Sequence, residues 1–236
     1  EVIRVIGRAG EHNAEMLGIV YESGFEVDFP IEVEKEAQMW KEKYQKEDLP
    51  RVKAGKLKDR KDFRETITFT IDPADAKDFD DAISIKTLPN SHYEIGIHIA
   101  DVSHFVEEKT ELDREARKRG TSIYLVDRTI PMLPEVLSND LCSLNPNEPK
   151  YAFSAVFVMD KNANVKERWF GKTLIESDKR FTYEEAQEIL DKKSGIFSNE
   201  LQTLDELAKK LSVEKFKKGA IDLETDEVKF ELDDLG

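Results

Sequence analysis

The run Thr70-Ile71-Asp72-Pro73-Ala74-Asp75-Ala76-Lys77-Asp78-Phe79-Asp80-Asp81-Ala82 places five carboxylates within ten residues. Apolar alternation flanks it: Thr66–Ile71 reads as one strand and Ala82–Ile85 as a second. Half-burying both strands brings the acidic groups between them close together. Carboxylates crowded without a partner repel one another and their pKa values rise. A bound divalent cation removes that penalty, and hard oxygen ligands favour Mg²⁺, Mn²⁺ or Ca²⁺ over zinc. A calcium loop of the EF-hand type is excluded, because Ala82 and Ile83 stand where the next ligand and the glycine belong. Two Mg²⁺ ions about 4 Å apart would suit in-line displacement at a phosphate, one activating the water and the other steadying the leaving oxygen. On charge alone, the same run also reads as a solvated acidic loop.

Around this loop the pattern is that of a sheet followed by helices. Tyr93–Ile99 forms a third strand, joined to the second by the turn residues Pro89-Asn90-Ser91. Residues 111–119 make a charged helix closed by Gly120, and Ala152–Met159 pairs with Val165–Leu174 around Lys161-Asn162-Ala163-Asn164. Thr182-Tyr183-Glu184-Glu185 is a capping box opening a helix to about Leu190. A second helix sets Leu201, Leu204, Leu207, Ala208 and Leu211 on one core-facing side and ends at Gly219. Ahead of the loop, residues 1–34 read as short strands, with Val2–Ile6 and Leu17–Tyr21 as the apolar runs. A charged helix follows from 34 to 50, stopped by Pro50. Residues 51–64, with Arg51, Lys53, Lys56, Lys58, Arg60, Lys61 and Arg64, are either a solvated linker or a strip facing phosphates. Glu224–Asp234 is a charged, strand-like tail, and no repeat or low-complexity tract interrupts the chain.

The formal charge of -14 speaks against a broadly basic nucleic-acid binder. It does not speak against a divalent-metal nuclease, which needs an acidic centre. The single cysteine, Cys142, lies in an apolar setting, excludes an internal disulfide framework and suits a reducing cytoplasm. No apolar run approaches the ~20 residues that span a bilayer. Glu1 is not a natural start, so the chain reads as a piece of a longer protein.

The order of the blocks goes further. Asp72, Asp78, Asp80 and Asp81, in the string Thr-Ile-Asp…Asp-Phe-Asp-Asp-Ala, resemble the signature of the ribonuclease II/ribonuclease R catalytic domain, the RNB domain. Arg60-Lys61-Asp62-Phe63-Arg64 resembles the family's lead-in to those aspartates. His98–Val106, Ser122-Ile123-Tyr124-Leu125, Ile130-Pro131-Met132-Leu133-Pro134 and Leu137–Leu144 follow in the family's order, with spellings that lean toward its ribonuclease R branch.

The resemblance implies an α+β fold, a mixed β-sheet with packed helices. Residues 51–236 would be the N-terminal part of the RNB domain, and residues 1–50 the end of an OB-type cold-shock β-domain with a linker helix. It implies a 3′→5′ exoribonuclease that hydrolyses single-stranded RNA to nucleoside 5′-monophosphates. Asp72, Asp78, Asp80 and Asp81 would hold Mg²⁺, with Mn²⁺ as a substitute; Asp75 falls where the family pattern is not acidic. Tyr124 matches the family's tyrosine that stacks on a terminal base, a contact tolerant of sequence; the other reading is a core aromatic. Arg117 and Arg119, with Lys118, are candidates for RNA phosphates or a solvated helix face. His98, Asp101 and His104 read as structural or substrate-lining groups rather than metal ligands.

The family's later half contributes an arginine, a glutamate and a second stacking aromatic, and no segment here matches them or the family's S1-type domain. The chain alone is therefore expected to be weak or inactive. A cytoplasmic monomer without membrane contact is the expected setting. A non-catalytic RNA-binding protein that keeps the fold is the rival reading, disfavoured by retention of all four aspartates.

Overall fold

The computed structural model describes residues 2, 4–55, 57 and 59–223. Ile3 within the first apolar run, Lys56 and Lys58 of the basic strip, and the tail Glu224–Asp234 lie outside the described residues.

A seven-stranded mixed sheet organises the molecule. Its strands are β1 (Lys61–Asp62), β2 (Thr68–Asp72), β3 (Asp81–Thr87), β4 (Tyr93–Ala100), β7 (Pro149–Met159), β8 (Val165–Glu176) and β9 (Lys179–Thr182). They run in the order β1-β8-β7-β4-β3-β2-β9, while β5 (Ile123–Tyr124) and β6 (Thr129–Ile130) form a separate small hairpin. The edge pairings β1–β8 and β2–β9 are parallel, and the rest are antiparallel. The long β7–β8 hairpin joins two runs rich in β-branched and aromatic residues, and its turn is fixed by Asp160, whose carboxylate accepts the backbone N–H of Asn162 at 2.8 Å and of Asn164 at 3.0 Å.

Because side chains alternate across a strand, the sheet presents two different faces. One carries Ala82, Ala100, Ala152 and Val156 against α2 (Ile31–Lys43), α4 (Glu111–Arg119) and the turn Val136–Leu141. Val33, Ala37 and Trp40 recur at helical spacing on α2 and join this core with Phe105, Leu112 and Leu137. The opposite face is covered at one end by α5 (Tyr183–Lys192) and α6 (Ser198–Lys217), through Phe69, Phe181, Leu201 and Leu207. At its other end Ile97, Ile99, Phe153 and Phe170 are exposed.

A buried polar row crosses the first face. His98 on β4 hydrogen-bonds Ser84 of β3 at 2.8 Å and Ser154 of β7 at 2.6 Å, and Ser154 hydrogen-bonds Thr173 of β8 at 2.5 Å. All four side chains are almost fully buried. Space for the imidazole comes from Gly96: a Cβ there would sit 2.4 Å from Ser84 Oγ and 2.5 Å from His98 Nε2.

Several expectations are met: the capping box at Thr182 forms with both reciprocal bonds, and Gly120 closes α4 in the left-handed region at φ 73°. Others are corrected. Leu17–Tyr21 is not a strand but part of α1 (His12–Glu22), because Ala14, Leu17, Gly18 and Tyr21 recur at helical spacing. Among the described residues no strand precedes Lys61, so strands of a preceding β-domain are not found there. Pro50 does not stop the helix. A π turn at Tyr44–Asp48 widens the backbone, and Pro50 enters the first turn of α3 (Leu49–Lys53), where its missing N–H costs little. On α6, Leu201 and Leu207 are buried and Leu204 packs beside them, whereas Ala208 and Leu211 face solvent. Among the described residues no helix is long and apolar enough to cross a membrane.

Candidate functional site

Asp72 ends β2 and Asp81 begins β3, so the acidic loop 73–80 hangs from two adjacent sheet strands. Asp72 is flanked on its other side by Thr182 of β9. The loop backbone is pinned almost throughout. Ser143 Oγ accepts the Phe79 N–H at 3.0 Å and donates to the Lys77 carbonyl at 3.2 Å. Leu144 N–H donates to the Phe79 carbonyl at 2.7 Å, and Ala100 N–H to the Asp80 carbonyl at 2.9 Å. Arg180 Nη2 donates to the carbonyls of Pro73 at 2.5 Å and Ala74 at 2.9 Å. The block around Cys142-Ser143-Leu144 thus serves the loop: Ser143 is fully buried against it, and Cys142 is an inert core residue whose thiol is pushed up to about 12 by burial.

The carboxylates differ in environment. Asp72 is buried, and among the described residues its Oδ2 has no hydrogen-bond partner. Burial raises its pKa, the charges of Asp81 and Asp80 add to the rise, and the nearby Thr70 hydroxyl and Arg180 oppose it. Asp81 is likewise raised, first by desolvation and then by Asp80. Asp78 is half-buried, and Asp80 and Asp81 are exposed. Asp72, Asp80 and Asp81 therefore share one electrostatic field, while among the described residues no three His, Cys, Asp or Glu groups converge closely enough to enclose an ion as they stand. An unpartnered buried carboxylate oxygen beside like charges is a donor set that a hard cation satisfies.

Tyr124 is 70% exposed, which removes the reading of a core aromatic. Its hairpin is tethered to α1 by His12 Nε2 with Asp127 Oδ2 at 3.1 Å and by Arg128 Nη1 with Asn13 Oδ1 at 2.5 Å. The two arginines of α4 part company. Arg117 lies at the surface, paired with Asp113 one turn back at 3.0 Å. Arg119 is buried, and the expectation that it meets phosphates is corrected. Its Nε donates to Glu115 at 2.9 Å, its two terminal nitrogens donate to the Pro131 and Asp28 carbonyls, and it lies 3.7 Å over the Phe29 ring.

Within the basic strip, Arg60 is buried against Asp101, and Arg64 is held by Asp62. His98 is a sheet residue, and His104 sits 3.4 Å from Asp48 amid aromatic rings. Two residues were missed by sequence reasoning: Arg180, which contacts the acidic loop, and Tyr183, exposed at the first position of α5 one residue beyond Thr182, the strand neighbour of Asp72. Their one signal was adjacency to the capping box, in Arg180-Phe181-Thr182-Tyr183.

Residues 60–236 match the family described as RNB domain. Ribonuclease R of Thermotoga maritima is 40% identical over 244 aligned positions, covering 100% of this chain and 33% of that protein. A protein of Arabidopsis thaliana named inactive exonuclease DIS3L2 is 38% identical over 208 positions, 80% of this chain and 20% of its own length. The structure of Mycoplasma genitalium RNase R in complex with ribose methylated single-stranded RNA superposes with a TM-score of 0.87 at 29% identity, covering 98% of this chain and 36% of that one. The chain thus spans about a third or less of the proteins it matches.

Proposed function

The chain belongs to the RNB domain family, and from that membership we propose that it is the front part of the catalytic domain of a 3′→5′ exoribonuclease. Residues 51–236 form that part, and residues 1–50 lead into it. The substrate is single-stranded RNA, the products are nucleoside 5′-monophosphates, and the setting is a cytoplasmic monomer. The observation that carries the reading is the buried Asp72 oxygen without a partner, set in a pinned acidic loop whose aspartates match the family signature.

Asp72, Asp78, Asp80 and Asp81 would hold Mg²⁺, or Mn²⁺ in its place. The cation supplies positive charge where negative charge develops on the phosphodiester. The pinned backbone holds the aspartates in place before substrate arrives, so little reorganisation remains for the reaction itself. Tyr124 offers an exposed ring on which any base can stack. Arg117, exposed at the surface, would exchange its pairing with Asp113 for the RNA backbone.

The test is a digest of 5′-end-labelled single-stranded RNA with Mg²⁺, with and without EDTA, using this chain, the longer protein that contains it, and that protein carrying Asp80→Asn. The expected result is a metal-dependent ladder shortening from the 3′ end with the longer protein, lost in the variant, and weak or absent with the chain alone. An equal rate from the chain alone overturns the assignment as a part. Silence from the longer protein favours the rival, a non-catalytic RNA-binding protein, for which a relative named inactive is a precedent.

A further inference from the structure

Arg180 lies close enough to Asp72 for its charge to act on that carboxylate, yet among the described residues it forms no ion pair; its Nη2 hydrogen bonds go to the backbone instead. Nη2 bridges the carbonyls of Pro73 and Ala74, more than 100 residues earlier in the chain, and the guanidinium lies 5.4 Å from the centre of the Phe79 ring. One side chain therefore spans the loop from its first two residues to the residue before Asp80. The second half of the loop is held by Ser143, Leu144 and Ala100, and the first half by Arg180.

Resting on the reading of the loop as a metal centre, we propose that Arg180 is a positioning residue: it shapes the Pro73–Asp80 backbone so that Asp72 and Asp80 present their carboxylates to one cation, and leaves those carboxylates free. A guanidinium suits this task, because the two N–H groups of Nη2 lie in one fixed plane, one for each carbonyl, while a lysine ammonium rotates freely on a flexible stem. Shape and charge make opposite demands here. The Arg180 charge by itself repels a cation, so removing it by electrostatics alone tightens cation binding. Losing the two carbonyl contacts lets the loop relax and weakens binding.

The sign of the change decides between them. Mn²⁺ is titrated into the chain of residues 1–236, and free Mn²⁺ is read by electron paramagnetic resonance. The variants are Asp72→Asn, Arg180→Gln and Arg180→Lys, each measured well below its own thermal unfolding midpoint in the absence of metal. The expected result is loss of binding in Asp72→Asn, a weakening of about tenfold in Arg180→Gln, and a smaller weakening of about threefold in Arg180→Lys. Unchanged or tighter binding in Arg180→Gln, with Asp72→Asn lost, overturns the proposal and leaves the metal centre standing. If Arg180→Gln does not fold, Arg180→Lys decides: weakened binding supports the proposal, and binding equal to the unmodified chain overturns it. No binding by the unmodified chain, or equal binding by Asp72→Asn, removes the metal centre and the proposal with it.

Discussion

Arg60 Nη2 donates to Asp101 Oδ2 at 2.6 Å, and both side chains are 2% exposed. The guanidinium also donates to the Ala152 and Thr173 carbonyls and lies 4.1 Å over the Tyr151 ring, so it joins β7 and β8 to the segment after β4. Asp101 is desolvated, yet its hydrogen bonds from Ser103 and Arg60 outweigh burial and lower its pKa. Removing one partner strands the other charge. Arg60→Met is expected to destabilise the fold by about 3–5 kcal/mol, and Arg60→Met with Asp101→Leu by less than the sum of the two single changes. Urea unfolding of the four proteins at pH 7 measures both. Additive losses would show that the ion pair is not the unit.

His98 carries an acid-dependent cost. Burial lowers its pKa to about 4 from the ordinary 6.5. Between these values the unfolded chain binds a proton that the folded chain refuses, so stability falls as pH drops from 6.5 toward 4 and is unaffected above that window. The full gap corresponds to about 3 kcal/mol. Urea midpoints at pH 7 and pH 5 are expected to differ more in the unmodified chain than in His98→Gln. Equal differences would place the acid sensitivity elsewhere.

Gly96→Ala addresses the same row without titration. The added methyl meets Ser84 Oγ on the neighbouring strand β3 and His98 Nε2 two residues along β4, and the two are bonded to each other, so neither can retreat cheaply. A loss of about 1–3 kcal/mol is expected, as for overpacking elsewhere in cores. A thermal unfolding midpoint equal to that of the unmodified chain would mean that the imidazole moves aside.

Tyr124→Ala is expected to weaken binding of single-stranded RNA by about 1–3 kcal/mol, roughly 5- to 150-fold, and Tyr124→Phe to restore most of it. The ring is exposed, so the unfolding midpoint should not move. Fluorescence anisotropy with a labelled oligoribonucleotide in EDTA reads the contact without turnover. Equal affinity for both variants and the unmodified chain removes the stacking role.

What could be read in advance was whatever leaves a local periodic mark. The β7–β8 hairpin sets two runs rich in β-branched and aromatic residues around a turn at Lys161-Asn162-Ala163-Asn164, the α5 capping box is a four-residue code, and the strands on either side of the acidic loop are plain. Leu17–Tyr21 failed because a five-residue apolar run carries too little phase to separate strand from helix. Pro50 failed because the π turn that accommodates it has no sequence rule as firm as the proline's own. Arg119 and Arg180 look alike in sequence to any solvated arginine. Their environments come from Asp28, Pro131, Pro73 and Ala74, distant in the chain and brought near only by the finished sheet. The four-residue β9, paired in parallel with β2, announces itself by no pattern at all.

That parallel pairing has a consequence in time. Asp72 meets its neighbour Thr182 only after 110 further residues have been joined, and contacts of such separation form late because a long loop must close first. During synthesis the aspartates emerge well before β9, so for many seconds at ordinary elongation rates the nascent chain carries them without Arg180 beside them. On the function proposed above, full cation affinity awaits completion of the sheet, and the aspartate loop takes its final shape only after the chain has grown well past it.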